Sequence, residues 1–308
     1  MPRYSYEDCL RNSYRINWRI DEVLEGRSFD EARDWLPRGL SAADHLPFLS
    51  PAEQRRLTHV EMAAYAHLFS YAEGFVAPLA LEQAQEAEGV DRDACDALTN
   101  FAAEEVKHRN LFRRLRGLVD DALGFELERL GGEEDTAAFV LGKHRGAVLL
   151  LTACIEWYTQ RHYTECFQDA EQLDPLTTHV FRCHWLEESQ HARLDHLETL
   201  RTFEGLDRAE RERALDDLLE LVTAFDGLLA RQAEHDAANF RRVLGRPLDA
   251  HQEQQLLDEL LRAKRHTFLP TGFTHPAFGE LLAEVTDDAQ RARLDAALVD
   301  AYPVLAAA

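Results

Sequence analysis

The chain has 308 residues, enough for two ordinary domains or one enlarged one and for a sizeable buried core. Its 34 Lys and Arg stand against 56 Asp and Glu, and the resulting charge of −22 repels phosphate backbones and anionic membrane faces, so nucleic acid is excluded as a partner. Hydrophobic residues make up 45% of the chain, yet no apolar run approaches the ~18 residues of a membrane span.

Tyrosines and charges occupy the first fifteen positions, where a secretory signal would need an apolar core, so a cytoplasmic protein is expected. A first helix is expected near residues 5–25, followed by an irregular connector around Pro37, Gly39 and Pro47. Ser50-Pro51-Ala52-Glu53 combines a cap residue, a proline at the first helical position and a Glu three residues after the cap, and opens a helix over residues 51–88. Pro78 lies inside that helix and predicts a kink against the Gly74 carbonyl. Further helices are expected over residues 92–121, 137–171 and 174–203, the last again opened by a cap and a proline, Asp174-Pro175. Residues 207–245, 249–265 and 286–300 also carry the helical period, divided by Gly245-Arg246-Pro247 and by an aromatic, Gly/Pro-rich stretch at 267–278. The expectation is an all-α protein, a four-helix bundle at residues 51–205. Residues 1–50 and 206–308 supply added N- and C-terminal helices within one structural domain. Cys9, Cys95, Cys154, Cys166 and Cys183 are odd in number and form no C-x-x-C, so they read as reduced thiols.

Two segments carry the chemistry: Glu104-Glu105-Val106-Lys107-His108 and Glu187-Glu188-Ser189-Gln190-His191, each an E-E-x-x-H on an expected helix. Residues three apart share a helix face, so the Glu and His of each can serve one metal centre. With 31 Glu and 14 His in the chain, about 1.4 such pairs arise by chance, and either one alone means little. The two preceding long helices each hold one carboxylate in apolar surroundings, Glu73 and Glu156. Glu73 precedes Glu105 by 32 residues and Glu156 precedes Glu188 by the same 32. A shift of 83 therefore carries Glu73, Glu105 and His108 onto Glu156, Glu188 and His191. Four convergent carboxylates without cations would repel and hold protons, whereas two divalent ions neutralise them. A Glu from each of two helices and a Glu-x-x-His from each of the other two is the ligand set of ferritin-like di-iron and di-manganese bundles. The same shift carries Phe101 onto His184. A third imidazole one turn before Glu188 would thus reach only the ion beside Glu188 and His191, leaving the two ions unequal.

The series Glu73, Glu105, His108, Glu156, His184, Glu188, His191 resembles the p-aminobenzoate N-oxygenase family of ferritin-like di-iron enzymes, over roughly residues 55–200. The resemblance implies O2-dependent oxidation of an arylamine-like nitrogen at two iron ions, with O2 as co-substrate, and a homodimer. A Mn/Fe pair is the other metal content considered. It further implies that Glu104 and Glu187 accept hydrogen bonds from the opposite ligand histidines. Asp195, four residues after His191, would either orient that imidazole or pair with Arg193 or a neighbouring helix. Tyr158, His162 and Tyr163 are expected in core or interface positions, and His235, His266 and His275 have no assigned role. No Gly-rich phosphate loop follows a strand pattern, so electrons are expected from an external donor, a ferredoxin or another reductase. The alternatives are a di-iron oxygenase acting on acyl, aldehyde or other C–H substrates, and a metal-storage or peroxide-scavenging protein with no organic substrate.

Overall fold

The computed structural model describes residues 4–302. It is helical throughout, and among the described residues the only β-type pairing is one isolated bridge between Asp34 and Leu173. The bundle is made by α3 (Pro51–Ala87), α4 (Arg92–Leu123), α6 (Arg145–His162) and α7 (Pro175–Glu204), with two helices, α1 (Tyr6–Ile16) and α2 (Ile20–Leu24), before it. The capping signals act as read: Ser50 Oγ accepts from Glu53 N while Ser50 N donates to Glu53 Oε2 at 2.7 Å, and Asp174 Oδ1 accepts from Leu176 N at 2.8 Å. The four-residue link between α3 and α4 makes them antiparallel neighbours. α3 is buried on nearly every side, as a helix with no polar face must be. Its helical backbone continues through Pro78.

Two expected helices are interrupted. The segment expected as one helix at 5–25 breaks at residues 17–19 into α1 and α2. The segment expected at 137–171 becomes a short α5 (Glu133–Leu141), a break at 142–144 where His144 Nδ1 caps α6 by accepting from Gly146 N, α6 itself and a π-helical turn at Tyr163–Phe167. Residues 124–144 form the long crossover between the two antiparallel pairs, and α5 packs on α3 as part of it. α8 (Arg208–Leu244) lies against α3 and α6, and α9 (Ala250–Phe268) against α8. The 267–278 stretch is no plain connector: it contains α10 (Pro270–Phe273) and opens α11 (Pro276–Val285), which precedes α12 (Asp288–Ala301). His275 caps α11 and stacks on Trp157 at 4.8 Å. The larger hydrophobic core runs from Cys9 to Tyr302, and a smaller one joins the connector and the start of α3 to α8 and α9. None of the described helices is long and apolar enough to cross a membrane.

Candidate metal centre

Burial of charge in the bundle interior concentrates where α3, α4, α6 and α7 meet. Glu73, Glu105, His108, Glu156, His184, Glu188 and His191 are all buried, none more than 4% exposed. One donor atom from each of Glu73, His108, His184 and Glu188 lies within 4.8 Å of the others, and the same holds for Glu105, His108, Glu188 and His191. Glu188 joins the two constellations: its Oε1 lies 2.8 Å from His108 Nδ1 and 2.6 Å from His184 Nε2, while its Oε2 lies 3.2 Å from His191 Nδ1. Glu105 Oε1 approaches His191 Nδ1 to 2.6 Å. Glu156 faces Glu188 across the same void, which Glu73, Glu105 and His184 also line.

These short distances are mostly not hydrogen bonds. Glu73 Oε2, Glu105 Oε1, His108 Nδ1, Glu156 Oε2, His184 Nε2 and Glu188 Oε1 are buried without a hydrogen-bond partner. A buried donor or acceptor left unpaired costs ~1–3 kcal/mol, so six converging on one void call for something else to satisfy them. Carboxylate oxygen with imidazole nitrogen is the donor set of iron and manganese, and two divalent ions balance the four glutamates. The residues fit two such ions.

The outward faces of the two histidines are held reciprocally. His108 of α4 donates from Nε2 to Glu187 of α7 at 2.8 Å, and His191 of α7 donates from Nε2 to Glu104 of α4 at 3.0 Å. Each bond fixes the ring so that Nδ1 faces the void. Lys107 Nζ adds a 2.5 Å contact to Glu187 and lies 4.2 Å over the Trp18 ring, and Trp18 stacks on His108 at 5.8 Å. Neither residue was singled out in the sequence. Lys107 sits visibly inside its motif, but Trp18 is 90 positions from His108 and only folding brings it there.

One expectation is corrected, and of the readings left open for Asp195 the contact with a neighbouring helix is the one found. With Nε2 of His191 engaged by Glu104 and Nδ1 facing the void, no ring nitrogen is left for Asp195, which is buried against Thr152 of α6 and pairs with neither His191 nor Arg193. His184 groups with Glu73, 3.7 Å from its Oε1, and with His108, rather than with His191. The reason lies along α7: His184 precedes Glu188 by four residues and His191 follows it by three, so the two rings sit about 10 Å apart along the axis, on either side of Glu188. Tyr158 and His162 are buried as expected. His162 Nδ1 meets Tyr65 Oη at 2.7 Å and its Nε2 meets Thr267 O at 2.9 Å, while Tyr163 stacks on Trp185.

The electrostatics match a site designed around cations. Burial alone would lower His108, but Glu188 and Glu187 outweigh it and raise the imidazole to about 9. His191 is raised well above its ordinary range against its burial by Glu188 and Glu105. Burial and the charge of Glu188 push Glu156 far up, whereas the three histidines hold Glu188 far down in spite of burial.

Beside the centre lies an apolar chamber bounded by α3, α5, α6 and α8, with a cavity volume of about 60 Å³. Ala72 and Ile155 line both the chamber and the void between the ligands. Phe139, 40% exposed, stands at the chamber's α5 wall.

The family described as P-aminobenzoate N-oxygenase AurF matches residues 12–263. Among solved structures, a mutant R2-like ligand-binding oxidase with an anaerobically reconstituted Mn/Fe cofactor is 14% identical, with 85% of this chain and 93% of that chain covered at a TM-score of 0.47. No curated protein matches this chain in sequence.

Proposed function

This chain belongs to the p-aminobenzoate N-oxygenase family, and on that premise we propose that it oxygenates the nitrogen of a small amine, arylamine-like in shape. It is an oxygen-using di-metal oxidoreductase. The proposed ligands are Glu73, Glu105, His108, Glu156, His184, Glu188 and His191. Two iron ions, or one manganese and one iron, held there supply the activation of O2. The protein's own groups do the positioning: Glu187 and Glu104 hold the Nε2 protons of His108 and His191, so that both Nδ1 lone pairs face the void. Lys107 offsets the charge of Glu187. Ala72 and Ile155, both small or apolar, let a substrate in the chamber approach the centre without a polar barrier.

The observation that carries the N-oxygenase reading over a plain six-ligand centre is His184, whose Nε2 is buried, unpaired and 2.6 Å from Glu188 Oε1. The test is anaerobic loading with Fe(II), followed by reduction and exposure to ¹⁸O2 with a panel of amines, aldehydes and acyl chains. About two metals per chain and ¹⁸O in a hydroxylamine or nitro product are expected. Amines returned unchanged, with an aldehyde or acyl substrate oxidised, would replace the reading with C–H oxygenation. O2 consumption indifferent to every organic substrate would favour storage or peroxide scavenging. The reading includes an external electron donor, a homodimer and a cytoplasmic location, the donor because no nucleotide-binding loop was found in the sequence. Reconstitution with a ferredoxin and its reductase, and sedimentation of the purified protein, test the first two.

A further inference from the structure

The chamber beside the metal centre carries no fixed charge. Its fourteen lining residues include no Lys, Arg, His, Asp or Glu, and its only polar side chains are Tyr71, Thr136 and Tyr158. Tyr71 already donates to Gly131 O at 2.6 Å. Elsewhere the wall is aliphatic and aromatic: Leu68 and Phe75 from α3, Val140 from α5, Leu151 from α6, and Phe225 and Leu228 from α8. The cation that acts on Tyr71 from α8 is Arg231, which is exposed, three residues beyond Leu228, and not part of the lining. A carboxylate entering the chamber would lose its water and find no cation among the lining residues; the ammonium at the wall's edge, Lys143 Nζ, lies 4.7 Å over the Phe139 ring and is already paired with Glu220 at 2.6 Å. The chamber encloses about 60 Å³ and opens to solvent, so it receives only part of an aryl ligand.

We propose that the substrate of this enzyme is uncharged over the part that fills the chamber, an apolar amine such as an aryl ester or alkyl-substituted arylamine, and that the chamber rejects an aminobenzoate carboxylate. This rests on the reading of the centre as an N-oxygenase and narrows its substrate class. Ala224 and Leu228 are uncharged lining residues on α8, the helix that also carries Arg231, so a cation introduced there tests the preference. At pH 7 an acid of ordinary pKa could enter only protonated, a penalty on the order of a hundredfold in affinity that shrinks about tenfold for each unit the pH is lowered.

Three matched probes decide the matter: ethyl 4-aminobenzoate, 4-aminobenzoate, and ethyl benzoate, which lacks the amine. Binding of each to the metal-loaded protein is measured by calorimetry from pH 5 to pH 8, and turnover is followed by mass spectrometry. The ester is expected to bind on the order of a hundredfold more tightly than the acid at pH 7, with pH-independent affinity, while the acid tightens as the pH falls. Ala224→Arg should shrink the ester-to-acid ratio at least about tenfold by placing a guanidinium in the wall. An acid that binds as well as the ester at pH 7 overturns the proposal, as does an acid affinity that collapses in Arg231→Ala. Failure of both esters and the acid to bind removes the chamber as the substrate site. Oxidation of ethyl benzoate at carbon, with the amine of its partner untouched, overturns N-oxygenation while leaving the uncharged-substrate inference standing.

Discussion

Two of the buried charge clusters among the described residues are built on opposite principles. The first is the Glu/His centre of α3, α4, α6 and α7, where the inward donor atoms of six residues lack hydrogen-bond partners and no Lys or Arg faces the void. The second lies between α3, α8, α9 and the connector, where Glu61 accepts from Ser41 Oγ and from Ala42 N, Lys264 Nζ pairs with Asp236, and Gln232 donates to Asp236 at 2.8 Å. Glu61 and Asp236 are as buried as the candidate ligands, and Lys264 is buried too. The second cluster meets its negative charge with a cation of its own and ties α8 and α9 to α3; the first leaves that role to something outside the chain. Burial of acidic residues does not make a site, but unpaired lone pairs converging on one void do.

The largest effect that would break the comparison is at Glu188, the residue shared by both donor constellations. Glu188→Ala should reduce metal content from about two per chain to one at most and abolish O2-dependent turnover, as read by elemental analysis and oxygen uptake. If two ions remain, Glu188 is no ligand.

Lys264→Met is the counterpart in the second cluster. It leaves Asp236 buried without its cation, which costs about 3–5 kcal/mol in comparable cases. Chemical denaturation should show that loss while the folded fraction still binds about two metals per chain.

A smaller effect separates the clusters by pH. Burial raises Glu61 from 4.5 to about 7, against the opposing pull of Lys264 and of the Ser41 and Ala42 hydrogen bonds. Because the folded value lies above the unfolded one, the contribution of the protonated carboxyl is complete below pH 4.5 and is lost as the pH rises through about 7. Relative to Glu61→Gln, the unmodified protein should therefore lose on the order of 3 kcal/mol of stability between acidic and mildly alkaline pH. Denaturant midpoints of the two proteins across that interval check it, and parallel curves would show that Glu61 titrates alike in the folded and unfolded chain.

The finest distinction lies within the first cluster. Glu187→Gln keeps an acceptor for His108 Nε2 but removes the charge that Lys107 and His108 share. Metal affinity should fall about 10–100-fold with the fold intact, measured by competition with a chelator, and an unchanged affinity would reduce the Glu187 bond to packing.

The centre was legible because its information is local and repeated. Glu105 with His108, and Glu188 with His191, share a helix face by period alone, and the identical 32-residue spacings tie Glu73 and Glu156 to them. The reciprocal bonds of Glu104 and Glu187 were expected from the resemblance for the same positional reason. The partner of Asp195 was not legible, because Thr152 lies on another helix and nothing in its neighbourhood marks it. Nor was the break at residues 142–144, where a single glycine and a histidine cap divide two segments of the same apolar composition. The Pro276 start of α11 did carry a signal, a proline directly after a residue able to cap, but the aromatic and Gly/Pro content around it read more strongly as a connector.

Helical period, capping and charge composition, all properties of residues within one or two turns of each other, thus determined by themselves that the protein is an α-helical bundle and that Glu and His pairs share faces on it. Tertiary structure alone decided which donors are left unpaired, on which side of Glu188 the third imidazole stands, that Lys264 answers Asp236 while no such cation answers Glu105, and that an uncharged chamber opens beside the centre. The physical reason is distance along the chain. The period of a helix says which way a side chain points, whereas what it meets there depends on packing between segments tens to hundreds of residues apart, and no local rule encodes the partner.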